Sequence, residues 1–185
     1  MHELERKLIH LSSLWIPLIC YFWQRENALI VLAVVTIGML VIDLVRISGG
    51  PVRRLFNIFF GSVLRQHESY KITGASYLLF SSLVTLYLFG SVVAAVACAY
   101  LIIGDTAAAI VGKHWGKKEI MGKTLEGSLS CLAGCLAVSL LVPEIGLVTG
   151  IIASVVATLV ELLPLVIDDN VSIPLVSGVV LWGLL

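Results

Sequence analysis

From Ile72 to Gly104 the chain carries no charged side chain. Asp105 then interrupts, and a second apolar run, Thr106 to Gly112, follows at once. A stretch this long with a single charge predicts membrane crossing, broken near Phe89-Gly90-Ser91 into two spans. Even the lower scales put a carboxylate at the centre of a spanning helix at a cost of roughly 2.5–3.5 kcal/mol, so its placement alone makes Asp105 a functional-site candidate. One internal Lys or Arg partner would also satisfy it. What favours function is the company found further along the chain.

Only 13% of the residues are charged and 59% are hydrophobic, with a mean hydropathy of +1.04. Soluble domains are nearer ~25% charged. Apolar stretches at 8–24, 28–47, 74–89, 91–112, 128–147, 148–167 and 171–185 predict an all-α fold, a polytopic integral membrane helical bundle. It is expected to form one domain over 1–185 with about seven transmembrane helices. Pro143-Glu144-Ile145-Gly146 supplies a turn, and Pro164 is expected to kink the helix that carries it. Gly146-x3-Gly150 reads as a small-residue helix contact. The 4 cysteines all lie in apolar stretches without zinc-site spacing, and Cys131 with Cys135 reads as packing. No cleavable signal peptide is expected, because charged Glu3, Glu5, Arg6 and Lys7 lead into an apolar run without an Ala-x-Ala-like site.

Charge distribution sets the orientation. With a cytoplasmic N-terminus, all but Arg25 of the 12 Lys and Arg residues fall on the cytoplasmic side. Asp43, Asp105, Glu126, Asp168, Asp169 and Asn170 approach that same face. The 48–71 segment, with Pro51, Arg53, Arg54, Phe56, Phe59, Phe60 and Arg65, reads either as an interfacial amphipathic helix or as a solvated connector.

Three constellations could carry chemistry. The loop from Lys113 to Ser128 combines Lys113, Lys117, Lys118 and Lys123 with Gly116, Gly122 and Gly127, and Gly112 lies just before it. Glycine-freed amides and ammonium groups of this kind can cradle a polyphosphate. It is not a Walker A loop, since the glycine spacing is wrong and a helix precedes it. Positive-inside topology alone would account for the lysines. Asp168-Asp169-Asn170 offers hard oxygen donors of the type Mg²⁺ takes beside substrate phosphates, with Asp105 as complement across the bundle. Glu3, Arg6, Lys7 and His10 share one helix face, and Asp43 with Arg46 repeats the spacing, so both groups are candidate polar linings.

In order along the chain, these pieces are Glu3-x2-Arg6-Lys7-x2-His10, Asp43-x2-Arg46, Gly104-Asp105-Thr106-Ala107-Ala108 with Gly112-Lys113, Gly122-Lys123-Thr124-Leu125-Glu126-Gly127-Ser128, and Glu161 with Asp168-Asp169-Asn170 and Pro174. Lys71-x2-Gly74 adds a weaker piece. Together they resemble the dolichol kinase, CTP-dependent diacylglycerol kinase and phytol kinase family, itself related to phosphatidate cytidylyltransferases. The resemblance runs over nearly the whole chain and is most specific over 104–128.

It implies an enzyme of lipid metabolism in the cytoplasmic membrane of a prokaryote, resembling a minimal form without the extra N-terminal spans of the eukaryotic dolichol kinases. That enzyme is a phosphotransferase, moving the terminal phosphoryl group of CTP to a membrane lipid alcohol at the cytoplasmic face. Mg²⁺ is the implied cofactor, with Asp105, Asp168 and Asp169 as its ligands. Asp105, Asp169 and Lys123 are the catalytic candidates. Thr106, Lys113, Gly122, Lys123, Thr124, Glu126, Gly127 and Ser128 are the expected nucleotide contacts. Glu3, Arg6, Lys7, His10, Asp43, Arg46, Lys71 and Asn170 are the expected polar lining for the lipid head. The expected partners are CTP, the lipid alcohol and the bilayer; nucleic acid is not one, and a homodimer is left open. Cytidylyl transfer to phosphatidate is the chemically close alternative, and a small transporter subunit the remote one.

Overall fold

Glycine and proline decide where the helices stop. The computed structural model describes residues 2–61 and 71–185. Gly90, at φ +84°, separates α5 (Gly74–Phe89) from α6 (Ser91–Ala99) once α1 (His2–Ser12), α2 (Trp15–Phe22), α3 (Arg25–Ser48) and α4 (Gly50–Phe60) have been laid down. Few side chains tolerate that conformation, so glycine marks the break. α6 continues through a π segment (Tyr100–Gly104) into α7 (Asp105–Trp115). A hairpin of β1 (Glu119–Ile120) and β2 (Lys123–Thr124) leads to α8 (Leu125–Leu141). A 3₁₀ turn over Pro143–Ile145, closed by Gly146 at φ +71°, leads to α9 (Leu147–Leu162), and α10 (Asp169–Leu184) ends the fold.

The described elements are overwhelmingly helical, as expected. Two runs, Arg25–Ser48 and Ser91–Trp115, are long and apolar enough to cross a bilayer. α5, α8, α9 and α10 are apolar but have 16 or 17 residues each, short of the ~20 of a full span. The expected 8–24 span is divided, because α1 ends at Ser12 and α2 begins at Trp15. Pro164 does not kink a helix: α9 stops at Leu162, and Leu163 is extended at ψ 136°. A residue preceding proline is disfavoured in helical geometry, so the helix ends there. Of the expected 48–71 element, α4 is described; the rest, Arg65 included, lies outside the described residues, as do the side chains of Glu3, Phe59 and Phe60.

The 25-residue helix Ser91–Trp115 is the axis of the bundle, 72% buried over its apolar window, whereas α3 is only 22% buried over its own. α2, α5, α8 and α10 pack on its α6 and α7 portions, with α9 outside α8 and α3 outside α5. The core is apolar with hydroxyl groups among it, and the outer surface is apolar as well. Ser76, Ser81, Ser82, Thr85, Ser139, Ser154 and Ser177 are buried, while Ile30, Val34, Ile37, Leu140, Leu141, Val148 and Trp182 face outward. Small hydroxylated residues inside and branched apolar ones outside suit helices packing in lipid.

Small residues also set the closest approaches. A Cβ on Gly104 would lie 2.9 Å from both the Cys131 and Cys135 sulfurs, so these thiols pack rather than react, and all 4 cysteines are free. Gly150 makes such a contact with Ser139, but Gly146 has open space around it and serves the turn instead.

Candidate active site

The π segment ends where Asp105 begins. Widening a helical turn by one residue rotates everything after it by roughly 100°. Here it delivers the Asp105 carboxylate to the first helix: Lys7 Nζ donates to Asp105 Oδ2, and His10 Nε2 stands 3.6 Å from the same oxygen. Lys7 is 5% exposed, so α1 is held to α7 by a largely desolvated ion pair. The Arg6 face of α1 borders the same cleft.

The second ion-pair group comes from the hairpin. Met121 and Gly122 occupy its two-residue turn at φ +52° and +82°, the left-handed geometry of a type I′ connection. That turn sends Lys123 inward. Its ammonium donates to the Glu161 backbone carbonyl and lies 3.0 Å from Glu161 Oε1 and 3.1 Å from Asp169 Oδ2. Burial alone would lower the Lys123 pKa; the Glu161 and Asp169 carboxylates outweigh it and hold the ammonium above its ordinary value.

Both groups open on one cleft of about 280 Å³. Its walls are Arg6 and Lys7 from α1, Asp105, Ala108, Ala109, Gly112 and Lys113 from α7, Lys123 and Thr124 from β2, Gly127 and Ser128 from α8, Glu161 from α9 and Asp169 from α10. Two buried polar atoms on these walls have no partner among the described residues, Glu161 Oε2 and Ser128 Oγ. Buried polar groups are normally satisfied, so these two are open to a ligand. A larger, shallower groove at the other end, lined by Trp23, Gln24, Asn27, Ile30 and Val31, has no charged side chain.

Several expected residues are elsewhere or otherwise engaged. Asp43 and Arg46 are fully buried in a separate network: Asp43 Oδ1 pairs with Arg46 at 2.9 Å, and Oδ2 accepts from Thr73 N, Thr73 Oγ1 and Ser76 Oγ at 2.8, 2.9 and 2.7 Å. The guanidinium also donates to the Lys71 carbonyl and lies over the Phe56 ring. This knot ties α3 to α5, and neither Asp43, Arg46 nor Lys71 lines the cleft. Asp168 caps α10, its Oδ1 accepting from Asn170 N and Nδ2, and the Asn170 carbonyl accepts from Ser81 Oγ. Glu126 Oε2 accepts from Lys117 N and Lys118 N at 3.0 and 3.4 Å, fastening the loop to α8. Thr106 is buried beside the cleft, its hydroxyl without a partner among the described residues.

The loop glycines are mostly contacts. A Cβ on Gly112 or Gly116 would meet Thr124 at 2.7 or 2.6 Å, and one on Gly127 would meet the Ala108 carbonyl at 2.8 Å. They let α7 and α8 close on each other around Thr124, which caps α8 by accepting from Gly127 N. The cleft therefore meets the first turn of α8, whose amides and helix dipole favour an anion.

Among the described residues no group of three or more His, Cys, Asp or Glu side chains is placed to hold a metal ion. Asp105 faces Lys7, Asp169 faces Lys123 and Asp168 faces its own helix, so these three do not gather around one point. One or two of the donors on the cleft walls, Asp105, Asp169 and the open Glu161 oxygen, would suit Mg²⁺ beside substrate phosphates, in place of a protein-only cage. Glu161 is the wall residue to which spacing alone assigned no role. Its signal is that it is the only charged residue in the apolar run from Ile145 to Ile167.

The fold thus gathers cationic and acidic side chains in one cleft at one end of an apolar helical bundle. The chain is similar to three proteins. CTP-dependent diacylglycerol kinase 1 of Schizosaccharomyces pombe is 29% identical over 134 residues, covering 69% of this chain and 61% of its own length. The Saccharomyces cerevisiae enzyme of the same name is 27% identical, covering 70% and 46%. An uncharacterised protein of Rickettsia prowazekii is 30% identical over 131 residues, covering 69% and 64%. The chain thus matches less than two thirds of each of these relatives. No protein-family profile and no solved structure matches it.

Proposed function

We propose that the chain is a membrane-embedded lipid kinase that moves the terminal phosphoryl group of CTP to the hydroxyl of a lipid alcohol at the cytoplasmic face. One observation carries the reading: Lys7–Asp105 and Lys123–Glu161–Asp169 meet in a single cleft where Glu161 Oε2 and Ser128 Oγ have no partner among the described residues. The relatives' names supply the nucleotide and the lipid class. Diacylglycerol, a polyprenol or a phytol-like alcohol would each present the required hydroxyl.

In this reading the triphosphate lies along the first turn of α8, contacted by Thr124, Gly127 and Ser128, with Lys113 and Lys123 as its cations. Gly122 shapes the turn that aims Lys123, and Glu126 holds the loop that carries Lys117 and Lys118. Asp105, Asp169 or the free oxygen of Glu161 would give Mg²⁺ one or two carboxylate ligands beside the phosphates, and the ion would neutralise phosphate charge. The lipid oxygen forms a bond to the γ-phosphorus as the bond to the β–γ bridging oxygen breaks. CDP leaves with that electron pair, and the hydroxyl proton passes to Asp169, 33% exposed at the mouth of the cleft. The nucleotide requires a cytoplasmic opening, matching the side to which the basic residues were assigned.

CTP labelled at the α or the γ position separates the outcomes. Purified protein in nanodiscs with Mg²⁺ and a panel of lipid alcohols should place only the γ label on lipid. Transfer of the α label to phosphatidate would make it a cytidylyltransferase, and no transfer to any acceptor would refute the kinase reading.

A further inference from the structure

Between the two carboxylates that hold Lys123, the chain leaves the bundle. Leu163, Pro164, Leu165, Val166 and Ile167 are all apolar and all exposed, Val166 completely. Five consecutive exposed apolar residues have no place on a water-facing loop unless something apolar covers them.

This loop is not a loose connector. Glu161 before it and Asp169 after it grip the same ammonium at 3.0 and 3.1 Å, Leu165 N donates to the Leu163 carbonyl at 2.8 Å, and Asp168 caps the helix that follows. Its irregular backbone would be costly in the hydrocarbon centre, so it belongs at the membrane surface. It is therefore a fixed apolar rim joining the outward-facing apolar band of the bundle to the mouth of a charged cleft. That juxtaposition complements one kind of molecule, an amphiphile with a small polar head and a hydrocarbon tail.

Resting on the kinase reading, we propose that Leu163–Ile167 is the lip over which the acceptor lipid enters. Its hydrocarbon chain lies across Leu165, Val166 and Ile167, and its hydroxyl reaches Asp169. The cleft then reads the acceptor through its chain next to the head, so the lip governs the KM for lipid and leaves that for nucleotide alone.

The test uses the full chain in phosphatidylcholine nanodiscs with the double substitution Val166→Ser and Ile167→Ser. The KM for dioleoylglycerol should rise about tenfold, from the loss of two apolar contacts. The KM values for CTP and for short-chain dibutyrylglycerol should not change. An unchanged dioleoylglycerol KM, or a common shift of all three, overturns the proposal.

A second arm does not depend on turnover. Diacylglycerol carrying a diazirine in its chain should label the peptide spanning 163–167, and excess dioleoylglycerol should suppress that labelling. Labelling that dioleoylglycerol fails to suppress would mean contact with bulk bilayer only and would overturn the lip. A wild-type protein that phosphorylates no alcohol refutes the kinase reading, while the competition experiment still decides the lip.

Discussion

The Lys123 ammonium stands 3.1 Å from the Asp169 carboxylate, a residue 46 positions further along the chain, and both line one cleft. A turn of positive-φ residues aims the cation, and the start of α10 presents the acid. Buried Glu161 completes the group from α9. Removing Lys123 therefore has two consequences, and they can be separated. Lys123→Met should lower kcat/KM for CTP roughly a hundredfold and also lower the melting midpoint, because Glu161 is left buried and uncompensated. Adding Glu161→Gln should restore the midpoint without restoring activity. Recovery of both would make the ion pair purely architectural.

The same ammonium has a defined pH signature. Its pKa is raised in the fold, so its stabilising contribution is fully present below the ordinary lysine value and lost only as pH climbs through the raised one. The difference in melting midpoint between wild type and Lys123→Met should thus not shrink between about pH 7 and pH 9. A difference that shrinks between pH 7 and 9 would contradict a charged Lys123 in the resting fold.

Asp43 makes the opposite prediction. It is fully buried with Arg46, remote from the cleft lining, and three donors besides Arg46 satisfy it. Asp43→Ala should destabilise the protein by about 3–5 kcal/mol, because it strands a buried guanidinium. The KM values of the protein that remains folded should not move. Thermal unfolding with parallel kinetics checks this, and a changed KM at wild-type stability would return Asp43 to the site.

Gly116 tests the closure of α7 on α8. A Cβ there would collide with the Gly112 carbonyl and lie 2.6 Å from Thr124, so Gly116→Ala forces the loop away from the helix. Gly38 has open space and sits inside α3, where alanine is the better helix former by about 1 kcal/mol. Gly38→Ala should be neutral or stabilising, and Gly116→Ala should lower both stability and nucleotide affinity. Equal melting midpoints for the two variants would show that the approach around Thr124 carries no energy.

Local chemistry was legible in the chain, and distant partnership was not. The breaks at Gly90 and at Pro143 to Gly146 follow from residues that fit few backbone conformations. The depth of Asp105 in an apolar run marks it as a site candidate. Pro164 ends a helix instead of kinking it, a choice made by the extended residue before it. The i, i+3 spacing of Asp43 and Arg46 is the same whether they face a ligand or each other; Thr73 and Ser76 settle it from 30 and 33 positions away. Lys7 lies 98 positions from Asp105, beyond any spacing rule. The glycines of the 112–127 region looked like phosphate-binding backbone, but close packing of two helices places the same demand on them.

Nucleotide binding to Asp105 puts the converging cleft to the test without requiring the lipid to be known. Calorimetric titration of CTP into the protein in nanodiscs should show binding with Mg²⁺ that weakens about tenfold or more when Mg²⁺ is withheld, and by a similar factor in Asp105→Asn. Affinity for CTP indifferent both to Mg²⁺ and to Asp105 would contradict a cleft built to grip a metal-bound triphosphate.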